Sequence, residues 1–86
     1  MPDDQQIART ILDYITRVYA DTLQGTAIDV DSPLISSGLI DSLSMVSMKV
    51  FLDQTYHLRI PEAEATADAF DSVAGMVQML RKLGAR

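Results

Sequence analysis

Residues 38–43 read Gly38-Leu39-Ile40-Asp41-Ser42-Leu43, a glycine turn followed by an acid, a hydroxyl and the start of an apolar stretch. Apolar residues continue at helical spacing to about Tyr56, which predicts a helix beginning at Ser42. The first turn of a helix presents free N–H groups and a favourable dipole to an anion. Ser42 therefore suits a phosphoester, and we interpret it as an attachment point rather than a catalyst.

The sequence around Ser42 does not support a hydrolase nucleophile. The G-x-S-x-G motif is absent, and the single His57 has no partner set for a triad. One histidine without cysteine also predicts no metal site. The neighbouring hydroxyls are expected to serve the loop backbone or to lie on the helix surface: Ser36 and Ser37 in the first case, Ser44 and Ser47 in the second.

Helical periodicity continues on both sides of this motif. A first amphipathic helix is predicted from about Asp4 to Leu23, capped by Asp3 or Asp4 and ended by Gly25. Its inward stripe is predicted to contain Ile7, Ile11, Tyr14, Ile15, Val18 and Thr22. A last helix is predicted from an N-cap at Ser72 to near Gly84, with these residues inward: Val73, Met76, Val77 and Leu80.

The helix after Ser42 is apolar around much of its circumference. One set of residues fits helical spacing, namely Leu43, Val46, Val50 and Phe51, and a second set widens the apolar surface, namely Met45, Met48 and Leu52. Residues 25–40 lack a period and predict a long ordered loop that packs onto the helices through Ile28, Val30, Leu34 and Ile35. Short helical turns are predicted after Pro61 and from Thr66 to Phe70, with Phe70 in the core. The pattern predicts an all-α fold with three substantial helices and one short helix.

Size and composition limit the classes of function that this chain can have. A chain of 86 residues and 9.5 kDa predicts a single domain over residues 1–86, too small to enclose a substrate-sized active site, so we expect no enzyme. Residues 21–80 contain nine acidic residues but only two basic ones, and this negative charge disfavours nucleic acid and anionic lipid as partners. Cysteine is absent, so any thioester chemistry needs an imported sulfur.

The first residues, Met1-Pro2-Asp3-Asp4, are acidic where a signal peptide would be basic, and no apolar stretch approaches the length of a membrane span. We therefore expect a cytoplasmic protein. One apolar stripe on each helix suffices for a single bundle, which favours a monomer.

Three stretches of the chain occur in an order that is typical of one family. They are Ser32-Pro33-Leu34-Ile35-Ser36-Ser37-Gly38-Leu39-Ile40-Asp41-Ser42-Leu43, then Ile60-Pro61 about a helix length later, and then Phe70-Asp71-Ser72-Val73. Over essentially its whole length the chain resembles the acyl/peptidyl carrier proteins. The resemblance implies a four-helix bundle with a long loop between helices 1 and 2 and a short third helix, in agreement with the periodicity.

The same resemblance implies a function. Ser42 would receive 4'-phosphopantetheine from coenzyme A through a phosphopantetheinyl transferase, and acyl or aminoacyl groups would be held on that arm as thioesters. The further partners implied are an acyl- or aminoacyl-activating ligase and a downstream synthase or transferase, as in fatty acid or secondary metabolite biosynthesis. A second hypothesis remains open, a helical adaptor without a prosthetic group that binds another helix through exposed Met and Leu residues.

The resemblance also assigns residues for recognition by partners. Asp41 would assist the transferase through its magnesium ion, and as an N-cap it would also start the helix. Leu43 would be either a partner contact or an ordinary core leucine. Met45, Lys49 and Asp53 complete the candidate surface, which is poorer in acids than in common fatty-acid carriers. Two residues, Leu39 and Ile40, separate Gly38 from Asp41, and this Gly-x-x-Asp-Ser-Leu spacing is nearer to D-alanine and other stand-alone aminoacyl carriers.

Overall fold

A computed structural model describes residues 3–84, so Met1, Pro2, Ala85 and Arg86 lie outside it, together with that part of the predicted acidic start. The helices are α1 (Asp4–Val18), α2 (Ala20–Leu23), a 3-10 helix (Ser42–Ser44), α3 (Met45–Tyr56), α4 (Ala67–Phe70) and α5 (Val73–Lys82). Over residues 3–84 no strand is present, and the predicted all-α class is confirmed.

The first helix differs from its prediction because it is interrupted at Tyr19, which gives α1 and α2 instead of one helix. Asp3 caps α1, as predicted, by accepting a hydrogen bond from the Gln6 amide. The buried positions follow a spacing of four residues: Ile7, Ile11, Ile15 and, in α2, Leu23. Val18 and Thr22, predicted to point inward, lie one residue before positions of this series and are exposed.

The last helix agrees with its prediction. Ser72 caps α5 by accepting from the Gly75 amide, and the predicted residues Val73, Met76, Val77 and Leu80 are all buried, together with Met79. Phe70, at the end of α4, is fully buried as predicted. The turn predicted after Pro61 is a hydrogen-bonded turn, not a helix, in which the Pro61 carbonyl accepts from the Glu64 and Ala65 amides.

In α3 the buried positions are Met48 and Leu52, one turn apart. The residues that fitted helical spacing best do not form this inner face, because Leu43, Val46 and Val50 are exposed and Phe51 is only partly buried. Phe51 instead stacks on Tyr14 of α1, with ring centroids 3.8 Å apart. The apolar pattern of α3 is nearly uniform, so packing and not periodicity determines which side faces the core.

The long loop between α2 and the 3-10 helix packs onto the helices, as predicted. Leu34 and Ile40 are fully buried, and Ile28 and Ile35 are partly buried, whereas Val30 lies at the surface. The Val30 carbonyl accepts from the Ala74 amide in the first turn of α5. This hydrogen bond satisfies one of the amides that a helix start leaves without an intrahelical partner.

Candidate functional site

Ser42 is the first residue of the 3-10 helix that precedes α3, and its side chain is exposed. Asp41 caps this helix with extended backbone, at φ −67° and ψ 141°. The Asp41 Oδ1 atom accepts from the Leu43 amide at 2.9 Å, and the Asp41 carbonyl accepts from the Ser44 amide at 2.9 Å. The Ser42 hydroxyl makes no hydrogen bond to any of the described residues. The structure therefore presents a solvent-facing hydroxyl at an ordered backbone position.

The Asp41 cap leaves fewer free N–H groups next to Ser42 than the sequence led us to expect. The amides of Leu43 and Ser44, which a free helix start would offer to an anion, are already bound by Asp41. A phosphoester on Ser42 would also lie next to the Asp41 carboxylate, and like charges repel. A phosphate on Ser42 is therefore expected to extend into solvent and not to fold back onto the helix.

The loop that leads to Ser42 is closed by backbone hydrogen bonds. The Ile40 amide donates to the Leu34 carbonyl at 2.9 Å, and the Gly38 amide donates to the Ile35 carbonyl at 3.0 Å. Gly38 has a φ of +81°, a conformation that glycine adopts without steric cost. The Ser37 hydroxyl donates to the Pro33 carbonyl, so its predicted role in the loop backbone is confirmed. Residues 34–40 thus form a closed unit next to Asp41 and Ser42.

Asp71, between α4 and α5, binds this closed unit from a distant part of the chain. Its Oδ1 atom accepts from the Ile35 amide at 2.7 Å and the Ser36 amide at 2.8 Å, and its Oδ2 atom accepts from the Ser36 hydroxyl at 2.8 Å. The Asp71 carbonyl also accepts from the Leu34 amide at 2.6 Å. The donors of Ser36, with smaller contributions from the Ile35 and Leu34 amides, hold the pKa of Asp71 below its ordinary value.

Sequence reasoning did not single out Asp71 as a site residue. It appeared only within the stretch Phe70-Asp71-Ser72-Val73, and no local pattern pairs it with residues 35 positions away. The sequence drew attention only to Ser36, whose hydroxyl was expected to form a hydrogen bond with the loop backbone. The Ser36 hydroxyl instead donates to the Asp71 carboxylate, so the expected bond to the loop backbone is replaced by a bond between two side chains.

The outer side of α3 carries an apolar stripe that begins next to Ser42. Leu43 is 79% exposed, Val46 67% and Val50 46%. Of the two roles left open for Leu43, the core role is excluded by this exposure. We call Leu43, Val46 and Val50 the outer stripe.

Lys49 and Asp53 face each other on α3. The Lys49 Nζ atom donates to Asp53 Oδ2 at 3.0 Å, and Asp53 Oδ1 accepts from the Ile60 amide at 3.0 Å. Both side chains are about three-quarters buried. Asp53 therefore holds the connector after α3 to the helix, and its charge is largely compensated by Lys49.

An open groove runs along α3, starting one helical turn after Ser42. Its volume is about 480 Å³, and it lies between α3 and the segment that contains α4. The residues that line it are Met45, Val46, Lys49, Glu62, Ala65 and Phe70. Met45 is thus partly buried and contributes to the groove.

The 3-10 helix that begins at Ser42 is also held from the first part of the chain. The Tyr19 hydroxyl donates to the Ser44 carbonyl at 3.4 Å and connects the break between α1 and α2 to the 3-10 helix.

No group of three or more His, Asp or Glu side chains within residues 3–84 is arranged to hold a metal ion. In the same part of the chain, no helix has the length and apolar character needed to cross a bilayer.

Comparison with known proteins identifies relatives of similar size. The chain is 26% identical over 77 residues to the D-alanyl carrier proteins of Streptococcus pyogenes serotype M5 (strain Manfredo), serotype M49 (strain NZ131) and serotype M1. The alignment covers 90% of this chain and 94% of each relative. No protein-family model matches the chain, and no solved structure matches it significantly.

Proposed function

We propose that the chain is a carrier protein that is modified on Ser42, because it is similar over nearly its whole length to D-alanyl carrier proteins. The observation that carries the proposal is the Ser42 hydroxyl, which is exposed, makes no hydrogen bond to residues 3–84 and lies at a capped helix start. A modifying enzyme can reach such a hydroxyl without unfolding any part of the chain. On this proposal the protein performs no bond-making step itself.

The prosthetic group is 4'-phosphopantetheine, attached to Ser42 as a phosphoester. The site fits this group, because the exposed Ser42 hydroxyl can form a phosphoester with its phosphate. When bound, the group supplies the thiol on which acyl or aminoacyl cargo is held as a thioester. Asp41 keeps Oδ2 free of hydrogen bonds within residues 3–84, so the same carboxylate caps the helix through Oδ1 and presents one oxygen to the magnesium ion of a transferase.

The partners follow from this chemistry. A phosphopantetheinyl transferase attaches the arm, a ligase activates the acyl or aminoacyl group, and a downstream synthase or transferase receives it, in a biosynthetic pathway of the cytoplasm. A flexible arm brings one activated group to successive active sites at high effective concentration. In this architecture α1 and α2 act as one interrupted helix, which with α3, α4 and α5 makes a monomeric four-helix bundle with a long first loop and a short third helix.

The test of the attachment site is intact-mass spectrometry. The protein is incubated with coenzyme A, magnesium and a broad-specificity phosphopantetheinyl transferase, and we expect the mass to rise by one phosphopantetheine. The Ser42→Ala variant should show no increase, whereas Ser47→Ala, which removes an exposed hydroxyl from α3, should be modified like the wild-type protein. An unchanged wild-type mass with a transferase that modifies a known carrier would refute the proposal.

We propose that partners dock on the outer stripe next to Ser42. Leu43 has the largest exposed apolar fraction in the stripe, and Met45 continues the apolar surface into the groove. Asp41, Lys49 and Asp53 border this surface, but the Lys49–Asp53 pair is internally compensated and offers little net charge to a partner. Binding of the cognate ligase should therefore fall only weakly with salt, and a steep loss between low and moderate ionic strength would contradict apolar docking.

The outer stripe also fits the second candidate, a helical adaptor without a prosthetic group. Of the Met and Leu residues expected to bind the partner helix, however, only Leu43 is exposed among residues 3–84, while Met45 is partly buried and Met48 fully buried. An exposed apolar helix face is the kind of surface that binds a partner helix. The adaptor predicts partner binding that is the same for the wild-type protein and for Ser42→Ala, while the carrier predicts loss of cargo transfer in that variant.

A further inference from the structure

Asp71 binds the loop that precedes Ser42, although it lies 36 residues further along the chain than Ile35. Three donors of the loop converge on its carboxylate: the amides of Ile35 and Ser36 and the hydroxyl of Ser36. Two successive amides and a hydroxyl on one carboxylate form the arrangement that an N-cap residue normally provides locally. Here a residue at the junction of α4 and α5 caps the turn of residues 35–38.

The capped turn is continuous with the attachment site. The Leu34 amide donates to the Asp71 carbonyl, the Ile40 amide donates to the Leu34 carbonyl, and Ile40 is followed directly by Asp41 and Ser42. Ile40 is buried, so the backbone on the amino side of Asp41 is fixed by packing and by this chain of hydrogen bonds. Every amide from residue 34 to 36 donates to Asp71.

We propose that Asp71 is a positioning residue for modification of Ser42. It holds residues 34–36 in the one arrangement that presents Asp41 and Ser42 together to the transferase. This inference rests on the proposed function. Without the carboxylate, the amides of Ile35 and Ser36 and the Ser36 hydroxyl form hydrogen bonds with water instead. The loop then samples conformations in which Asp41 and Ser42 are displaced.

The proposal predicts a specific kinetic signature. When only a fraction of the protein is competent for binding, the apparent affinity falls by that fraction, and the step after binding is unchanged. Asp71→Ala should therefore raise the transferase KM for the carrier on the order of tenfold, the factor for a competent fraction of about one tenth, with kcat unchanged. Asp71→Asn, which keeps an acceptor oxygen for the two amides, should restore most of the affinity, and Ser36→Ala should have a smaller effect than Asp71→Ala.

The control is Ser72→Ala, which removes the cap of α5 next to Asp71 but none of the hydrogen bonds to residues 34–36. This variant destabilises the fold through a helix cap, so circular dichroism melting and transferase kinetics are measured on all variants at a temperature where each is folded. The proposal is overturned if Asp71→Ala has the wild-type KM, or if Ser72→Ala raises the KM as much as Asp71→Ala. In both of these cases the wild-type protein is still modified and the carrier function stands. If the wild-type protein itself is not modified, the carrier function fails, and the positioning role fails with it.

Discussion

The orientation of α3 can be tested with one pair of substitutions, Met48→Ala and Leu43→Ala. Met48 is 1% exposed, so its truncation removes core contacts and leaves a cavity, at a cost of about 2–5 kcal/mol in the free energy of unfolding. Leu43 is 79% exposed. Full burial of a leucine contributes about 1.5–3 kcal/mol, so the buried fifth of Leu43 accounts for only about 0.3–0.6 kcal/mol.

The difference between these two losses is large compared with the total free energy of unfolding of a chain of this size. At about 0.05–0.15 kcal/mol per residue the whole domain is stable by roughly 4–13 kcal/mol. Met48→Ala should therefore lower the melting temperature by at least about 8 °C, whereas Leu43→Ala should shift it by less than about 5 °C. The assay is urea and thermal unfolding followed by far-ultraviolet circular dichroism, with equal urea m-values required for the comparison.

Two further variants serve as matched controls. Leu52→Ala, one turn after Met48 on the buried side, should cost as much as Met48→Ala, and Val46→Ala on the outer stripe should be nearly neutral. If Leu43→Ala destabilises the protein as much as Met48→Ala does, Leu43 belongs to the core, and the outer stripe cannot be the docking surface.

Three other substitutions test local features of the fold. His57 ends α3 with a φ of +54°, so His57→Gly should raise the free energy of unfolding by about 1 kcal/mol in urea titrations, and a loss would contradict the left-handed conformation. Gly75→Ala, which in an open helix would stabilise by up to about 1 kcal/mol, should destabilise, since the new Cβ would lie 2.8 Å from the Ala69 carbonyl oxygen; a higher urea midpoint would refute this close approach. Because donors from Ser36 hold the pKa of Asp71 below its ordinary 3.8, the ionised carboxylate stabilises the fold above about pH 4, and this contribution is lost as the pH falls through the folded-state pKa. The urea midpoints of the wild-type protein and Asp71→Asn should accordingly differ most near neutral pH and converge in acid; a constant difference would show that ionisation of Asp71 does not contribute.

The sequence by itself determined the features that depend on neighbours along the chain. Helical spacing predicted that Ile7, Ile11 and Ile15 of α1 are buried, although the same pattern wrongly included Val18 and Thr22. The cap residues predicted the start of α1 at Asp3 or Asp4 and the start of α5 at Ser72. The acid and hydroxyl after the glycine loop predicted a helix start at Ser42. These features are readable because capping and helical amphipathicity involve residues three or four positions apart.

Only the tertiary structure decided which side of α3 faces the core and what holds the loop before Ser42. Apolar residues cover so much of α3 that helical spacing does not identify one inner face, and the burial of Met48 and Leu52 comes from the elements that pack against them. The contact of Asp71 with Ile35 and Ser36 joins positions 35 and 36 residues apart. Such a contact forms only when the folded helices bring the α4–α5 junction to the loop, since the local sequence of neither partner specifies the other.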